Sequence, residues 1–233
     1  MDFLPSWVAA VDKQLALPTM DDFDAPKIWF VRHAESEANV RHIYANKGCS
    51  FPLTANGLQN AQTLARLLSS VPIRAIYTSP LLRATQTAEQ ICKINKTEMQ
   101  VAPELSEYSM GIYEGTSSLP GTLGAISEAE SKKRWFEHND FDARSPGGES
   151  LADMRRRFPP FVKKTIENRG DKSGILLMIT HGGILSAMLP FVFENLDFHF
   201  VQARSIEHLS IIKGKLTHGR LTCVDFSGNP ISA

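Results

Sequence analysis

Two histidines, two arginines and a glutamate occupy positions from which a fold could gather them. Arg32 and His33 close the apolar run Ile28 to Val31, and Arg83 falls in the first turn of a helical pattern after Ile73 to Thr78. Glu107 follows a short strand-like stretch, and His181 ends the continuous apolar run Ile175 to Thr180. Such a set can grip an anion with guanidinium forks and move protons through imidazole and carboxyl groups. In open α/β sheets ligands bind beyond the carboxyl ends of the strands, so position rather than residue type singles these five out. The dipeptides alone carry little. Arg-His recurs at Arg41 and His42, which follow no strand and read as loop surface at a pocket rim. His-Gly recurs at His218 and Gly219, inside an expected hairpin.

The elements that must position these residues follow from the alternation of apolar runs and helical patterns, which predicts a parallel sheet. A strand at 28–31 precedes a helix over 54–69. A strand at 73–78 precedes a helix from Pro80 to Ile94, with Ser79 as its N-cap and Pro80 as its first residue. After a strand near Met99 to Ala102 comes a polar excursion at about 116–145, read as a cap over a site, with a helix opened by a Ser127 to Glu130 capping box. A loop at Ser145, Pro146, Gly147 and Gly148 leads into a helix from Ser150 to about Asn168, then a turn at Asp171 to Gly174. Ile175 to Thr180 reads as a central strand covered on both faces, followed by a helix from Gly183 to Phe193. Glu207 to Ile212 and Arg220 to Phe226, flanking Lys213, Gly214 and Lys215, read as a closing hairpin. The expected architecture is α/β, a three-layer sandwich whose mostly parallel central sheet is flanked by helices, with one domain over 27–233. Residues 1–26 read as an appendage with a short amphipathic stretch from Ser6 to Leu17, packed on the domain or serving as a dimerisation arm or lid.

The composition excludes several classes. With 233 residues, 42% of them hydrophobic, 15 glycines and 13 prolines, the chain is neither disordered nor fibrous and is long enough for a full core. Twenty-five Lys plus Arg balance 25 Asp plus Glu, so no net field draws it to nucleic acid or anionic lipid, and an anionic substrate must be held by local charges. Three scattered cysteines, Cys49, Cys92 and Cys223, form no C-x-x-C pair and argue against a disulfide framework or a zinc site. Neither a basic, apolar leader nor an apolar run near the roughly 20 residues of a membrane span is evident. The expected setting is the cytoplasm, without nucleic-acid or membrane partners, and a homodimer is left open.

The ordered motifs resemble a known family. Phe30, Val31, Arg32, His33, Ala34, Glu35, Ser36 through Asn39 resembles the Arg-His-Gly-Glu motif of the histidine phosphatase (phosphoglycerate mutase-like) superfamily, with Ala34 where glycine is usual. Thr78 through Ala88 looks like the family's second arginine helix. Leu105, Ser106, Glu107, then Gly111, Glu114 and Gly115, resembles its general-acid segment. Pro146 to Ser150 and Ile179 to Gly183 complete the order, so the resemblance covers about 27–212.

The resemblance implies a phosphoglycerate mutase-like fold and a metal-independent phosphatase without cofactor. His33 would attack phosphorus, Arg32, Arg83 and His181 would hold the phosphoryl oxygens, and Glu107 would protonate the leaving alkoxide. Asn39, Ser36, Gly182 and Tyr108 would contact the substrate, a small phosphoester, and Glu35 would support the site from behind. Seven histidines without H-x-H or H-E-x-x-H spacing agree with the absence of a metal. The family's sugar-acid mutases usually carry arginine just after the general acid, where this chain has Tyr108. The segment after Gly115 is closer to the phosphatase branch, including fructose-2,6-bisphosphatase-like members. Hydrolysis is therefore favoured over a mutase-type transfer, with a noncatalytic phospho-ligand-binding protein as the alternative from another class. Lys132, Lys133 and Arg134, like Arg155, Arg156 and Arg157, read as solvated helix faces, although the first cluster could hold a second anionic group.

Overall fold

The computed structural model describes residues 27–47, 50–168 and 174–231. The stretch Ser6 to Leu17, Cys49 and most of the turn Asp171 to Gly174 lie outside the described residues. In chain order the elements are β1 (Lys27–Arg32), α1 (Glu37–Val40), α2 (Ala55–Leu67), β2 (Ile73–Thr78), α3 (Leu82–Asn95), β3 (Met99–Val101), α4 (Leu123–Glu137) and α5 (Leu151–Glu167). Then follow β4 (Ile175–Thr180), α6 (Gly182–Val192), α7 (Phe198–Gln202), β5 (Ile211–Thr217), β6 (Arg220–Phe226) and β7 (Asn229–Pro230).

All seven strands form one sheet in the order β3-β2-β4-β1-β5-β6-β7. β4 lies parallel between β1 and β2, β3 continues the parallel half, and β5 to β7 extend the other edge antiparallel. Every residue of β4 is buried, as its uninterrupted apolar run requires of a strand covered on both faces. Alternation along β1 and β4 sorts the core into two layers. Ile28, Phe30, Leu176 and Met178 pack with Met154 and Phe158 of α5 and with Ile184, Leu185 and Met188 of α6. Trp29, Val31, Leu177 and Ile179 pack with Ala61 and Leu64 of α2 and Ala84, Ala88 and Ile91 of α3. This is the expected three-layer sandwich.

Four local expectations are corrected. α3 begins at Leu82 rather than Pro80, because Ser79 stays with the strand end, its N–H donating to Ile179 O and its hydroxyl facing His181. α4 is capped by Thr122, whose side chain accepts from Ala125 N, so Ser127 lies inside the helix and donates to Ser145 instead of capping. Lys213, Gly214 and Lys215 are mid-strand in β5, and the hairpin turns at His218 and Gly219, both at positive φ. That left-handed pair matches the twist of a two-residue hairpin turn. Finally, the stretch from Glu207 to Ser210 is a loop and only Ile211 and Ile212 of that run belong to a strand, with consequences for His208 below. Among the described residues no helix is long and apolar enough to cross a membrane.

Candidate active site

The carboxyl ends of β1, β2 and β4 meet at one cavity because backbone hydrogen bonds continue past the strands. His33 N donates to Thr180 O, Ser79 N to Ile179 O and Ala102 N to Thr78 O, at 2.8–3.0 Å. Thr180 Oγ1 donates to Leu105 O at 2.7 Å, tying the strand that ends in His181 to the segment that presents Glu107. The cavity, about 330 Å3, is lined by Arg32, His33, Arg83, Glu107, Tyr108 and Gly182, with Asn39, Tyr44, Asn46, Glu128 and Lys132 at its sides. A larger groove of about 690 Å3, bordered by α5, α6 and the β5–β6 hairpin, contains none of the five chemical candidates.

His33 is buried, and its hydrogen bonds fix its tautomer. The guanidinium of Arg83 can only donate, so the 3.0 Å contact from its Nε makes His33 Nε2 the acceptor. The ring hydrogen is then on Nδ1, which donates to Ala34 O at 2.7 Å. Burial, followed by the charge of Arg83, holds this ring well below the usual histidine range, so it is neutral, with Nε2 free of hydrogen and accepting from Arg83. His181 lies edge-on to His33 with ring centroids 4.9 Å apart and is fully buried. Its Nε2 meets the Ser79 hydroxyl at 2.7 Å while its Nδ1 has no protein partner, and burial keeps it neutral as well. Arg32 also has a buried Nε without a protein partner. Arg83, drawn down to about 10 chiefly by burial, remains a cation at neutral pH and is held by Ala45 O and Asn46 Oδ1.

Glu107 accepts from the N–H of Tyr108 at 3.0 Å and of Gly183, in the first turn of α6, at 2.8 Å. Those donors and the nearby cations favour the carboxylate, yet burial outweighs them and raises its pKa above the ordinary glutamate value. A Cβ on Gly183 would come 2.8 Å from both carboxyl oxygens, so glycine is what lets the helix approach so closely. Arg157 braces this segment. It forms a fork with Glu149 and donates from Nη1 to the carbonyls of Glu104 and Ser106.

The remaining expected contacts divide. Asn39, Gly182 and Tyr108 line the cavity, whereas Ser36 is fully buried and donates both its N–H and its hydroxyl to Asn39 Oδ1, which turns it into a brace for Asn39. Glu35 supports from behind, its carboxylate accepting from the Thr54 hydroxyl at 2.6 Å. Of the charge run in α4, Lys132 lines the cavity while Arg134 pairs outward with Asp140. Lys132 Nζ lies 2.6 Å from Glu128, whose carboxylate also accepts from the hydroxyls of Tyr44 and Tyr108. Sequence reasoning missed Glu128, Tyr44, Asn46 and His208. For Glu128 a signal existed, since its i,i+4 spacing to Lys132 puts both on one helix face.

A family model described as histidine phosphatase superfamily (branch 1) matches residues 28–228. The chain is 30% identical over 202 residues to a Schizosaccharomyces pombe protein described as a probable phosphatase, covering 86% of this chain and 66% of that one. It is 31% identical over 164 residues to the adenosylcobalamin/alpha-ribazole phosphatase of Salmonella typhimurium, covering 70% and 77% respectively. The solved phosphoglycerate mutase from Bacillus anthracis superposes with a TM-score of 0.72 at 21% identity, covering 91% of this chain and 96% of that one, a likeness of fold.

Proposed function

Because the chain belongs to the histidine phosphatase superfamily, we propose that it hydrolyses a small phosphomonoester through a phosphohistidine on His33. One observation carries this reading: a neutral His33 whose hydrogen-free Nε2 is held by Arg83 at a cavity lined by Arg32 and Arg83, beside buried Arg32 Nε and His181 Nδ1 atoms that lack protein partners. Unpartnered buried polar atoms are costly, and phosphoryl oxygens would satisfy these two. In the first step Arg83 Nε exchanges its hydrogen bond to Nε2 for one to a phosphoryl oxygen, the freed Nε2 forms its bond to phosphorus as the P–O ester bond breaks, and the leaving oxygen takes the Glu107 proton. In the second step Glu107 accepts a proton from water while that water's oxygen displaces Nε2 from phosphorus, releasing phosphate. The arginines neutralise charge on the nonbridging oxygens throughout, with fork geometry that lysine lacks.

Tyr108, buried with its hydroxyl on Glu128, directly follows Glu107 where the family's sugar-acid mutases usually carry an arginine, which supports hydrolysis over transfer within a sugar acid. The thiols of Cys92 and Cys223 are free, in keeping with a cytoplasmic setting. The test is a screen of phosphorylated metabolites and phosphopeptides that follows both phosphate release and isomer formation, with His33→Ala as control. Release that vanishes in the variant supports the hydrolase; isomerisation without release makes the protein a mutase. Binding without turnover makes it a phospho-ligand receptor.

A further inference from the structure

Arg32 is held from one side by a single loop. Its Nη1 donates to Ile206 O at 2.8 Å, and its Nη2 lies 3.0 Å from Nε2 of His208. The same loop is clamped to the Arg32 backbone, with Leu209 N donating to Arg32 O and Arg32 N to Ser210 O. A guanidinium has five donors and no acceptor, so His208 Nε2 must be the unprotonated nitrogen. The ring also lies 5.8 Å from that of His33.

We propose that His208 is a positioning residue: as the acceptor for Nη2 it completes a two-point hold on Arg32 that turns the unpartnered Nε–H toward the phosphoryl site beside Gly182. This rests on the phosphoester reading of the cavity. Ile206 O alone leaves the fork free to swing about its last bonds, whereas two anchors at the two Nη atoms fix its plane and leave Nε 3.2 Å from where a Gly182 Cβ would stand. A donor set that is already aimed needs no reorganisation when charge develops on phosphorus. The groups facing His208 are Arg32 and His33 at the end of β1, Glu35 in the loop beyond it, and Glu207 in its own loop. Burial, with Arg32 adding to it and Glu35 and Glu207 opposing, brings its pKa to about 4. His208 is therefore an acceptor at neutral and mildly acidic pH, and protonation would set one donor against another.

The experiment measures inorganic phosphate affinity, and kcat and KM on an aryl phosphate, for His208→Phe, which removes the acceptor at similar volume, and for His208→Gln, which keeps one near Nε2. Loss of one hydrogen bond to a charged group predicts phosphate affinity and kcat/KM lower by about tenfold in the Phe variant, with the Gln variant within roughly threefold of wild type. An unchanged Phe variant, or a Gln variant as impaired as Phe, overturns the positioning role. Wild type that neither binds phosphate nor turns over overturns the phosphoester reading and this one with it. Should the Phe variant fail to fold, phosphate affinity against pH decides. Wild type should lose affinity as pH falls through about 4 and His208→Gln should not, and identical acid limbs overturn the proposal.

Discussion

Arg83 Nε donates to His33 Nε2 at 3.0 Å, so the arginine that would bind a phosphoryl group occupies the lone pair of the histidine beside it until such a group takes the guanidinium's donor. One guanidinium thus aims the imidazole, caps its reactive nitrogen and reaches Ala45 O and Asn46 Oδ1 with its other nitrogens.

Arg83→Lys is expected to keep the charge and lose the fork. An ammonium cannot reproduce these three directions at once, so kcat/KM should fall by about 10²- to 10³-fold, the scale of removing one preorganised donor. Steady-state kinetics on an aryl phosphate checks this, and retention of more than a third of wild-type activity would contradict it.

Glu107 carries a raised pKa, so its acid form persists to higher pH than an ordinary glutamate, while His33, depressed well below 6.5, stays unprotonated into acid. Activity should therefore be favoured on the acid side of neutrality and decline as pH rises through the Glu107 pKa. Glu107→Gln should cost far more on an alkyl phosphate than on an aryl phosphate, whose leaving group needs little protonation. Equal losses on both substrates would remove the general-acid role.

Stability should fall in mild acid. As pH drops through about 6.5 the unfolded chain protonates His33, His181 and His208, while the folded protein keeps all three neutral, His208 down to about 4. The unfolded state then binds more protons, and each ring removes up to about 1.4 kcal/mol of stability per pH unit. Glu107 acts in the opposite sense, since the folded protein protonates it first and gains stability as pH falls through its raised pKa. Three rings against one carboxyl predict a Tm that decreases steadily from pH 7 to pH 5, and a flat profile would refute the neutral assignment.

Lys132 and Glu128 pair at the side of the cavity that His33, Arg32 and Arg83 also line. Burial pushes the Glu128 carboxyl up, but Lys132 and the two tyrosine hydroxyls outweigh it and hold it ionised. Lys132→Ala is expected to raise KM severalfold for a substrate with a second anionic group, with kcat and the KM for a plain aryl phosphate nearly unchanged. A drop in kcat on both substrates would instead place Lys132 in the chemistry.

Much of the candidate site was legible because Arg32, His33 and His181 stand at the ends of apolar runs and Arg83 and Glu107 a few residues beyond them, and parallel strands carry their ends to one rim. The run Ile175 to Thr180 and the position of His181 needed only that rule. What escaped depended on long-range contacts. Ser79 looked like a helix cap because Pro80 follows it, yet its hydroxyl is drawn to a histidine 102 residues away. His208 was hidden because Glu207 to Ile212 reads as one strand, whereas Leu209, at φ 62°, breaks it and swings the imidazole over Arg32. The Lys213–Gly214–Lys215 signal misled for another reason. Gly214 serves packing, since a Cβ there would meet the Phe193 ring at 2.3 Å.

The placement of β4 between β1 and β2 also has a consequence for biosynthesis. A nascent chain that has emerged as far as Glu167 already holds His33, Arg83 and Glu107, but β1 and β2 have no strand to join them. Both then present unpaired backbone edges, the feature that recruits foreign strands. Ile175 to Thr180 joins β1 to β2, and the outer edge of β1 is covered only when β5 follows, so a message truncated before Ile175 is expected to yield an aggregation-prone fragment with the site residues unassembled.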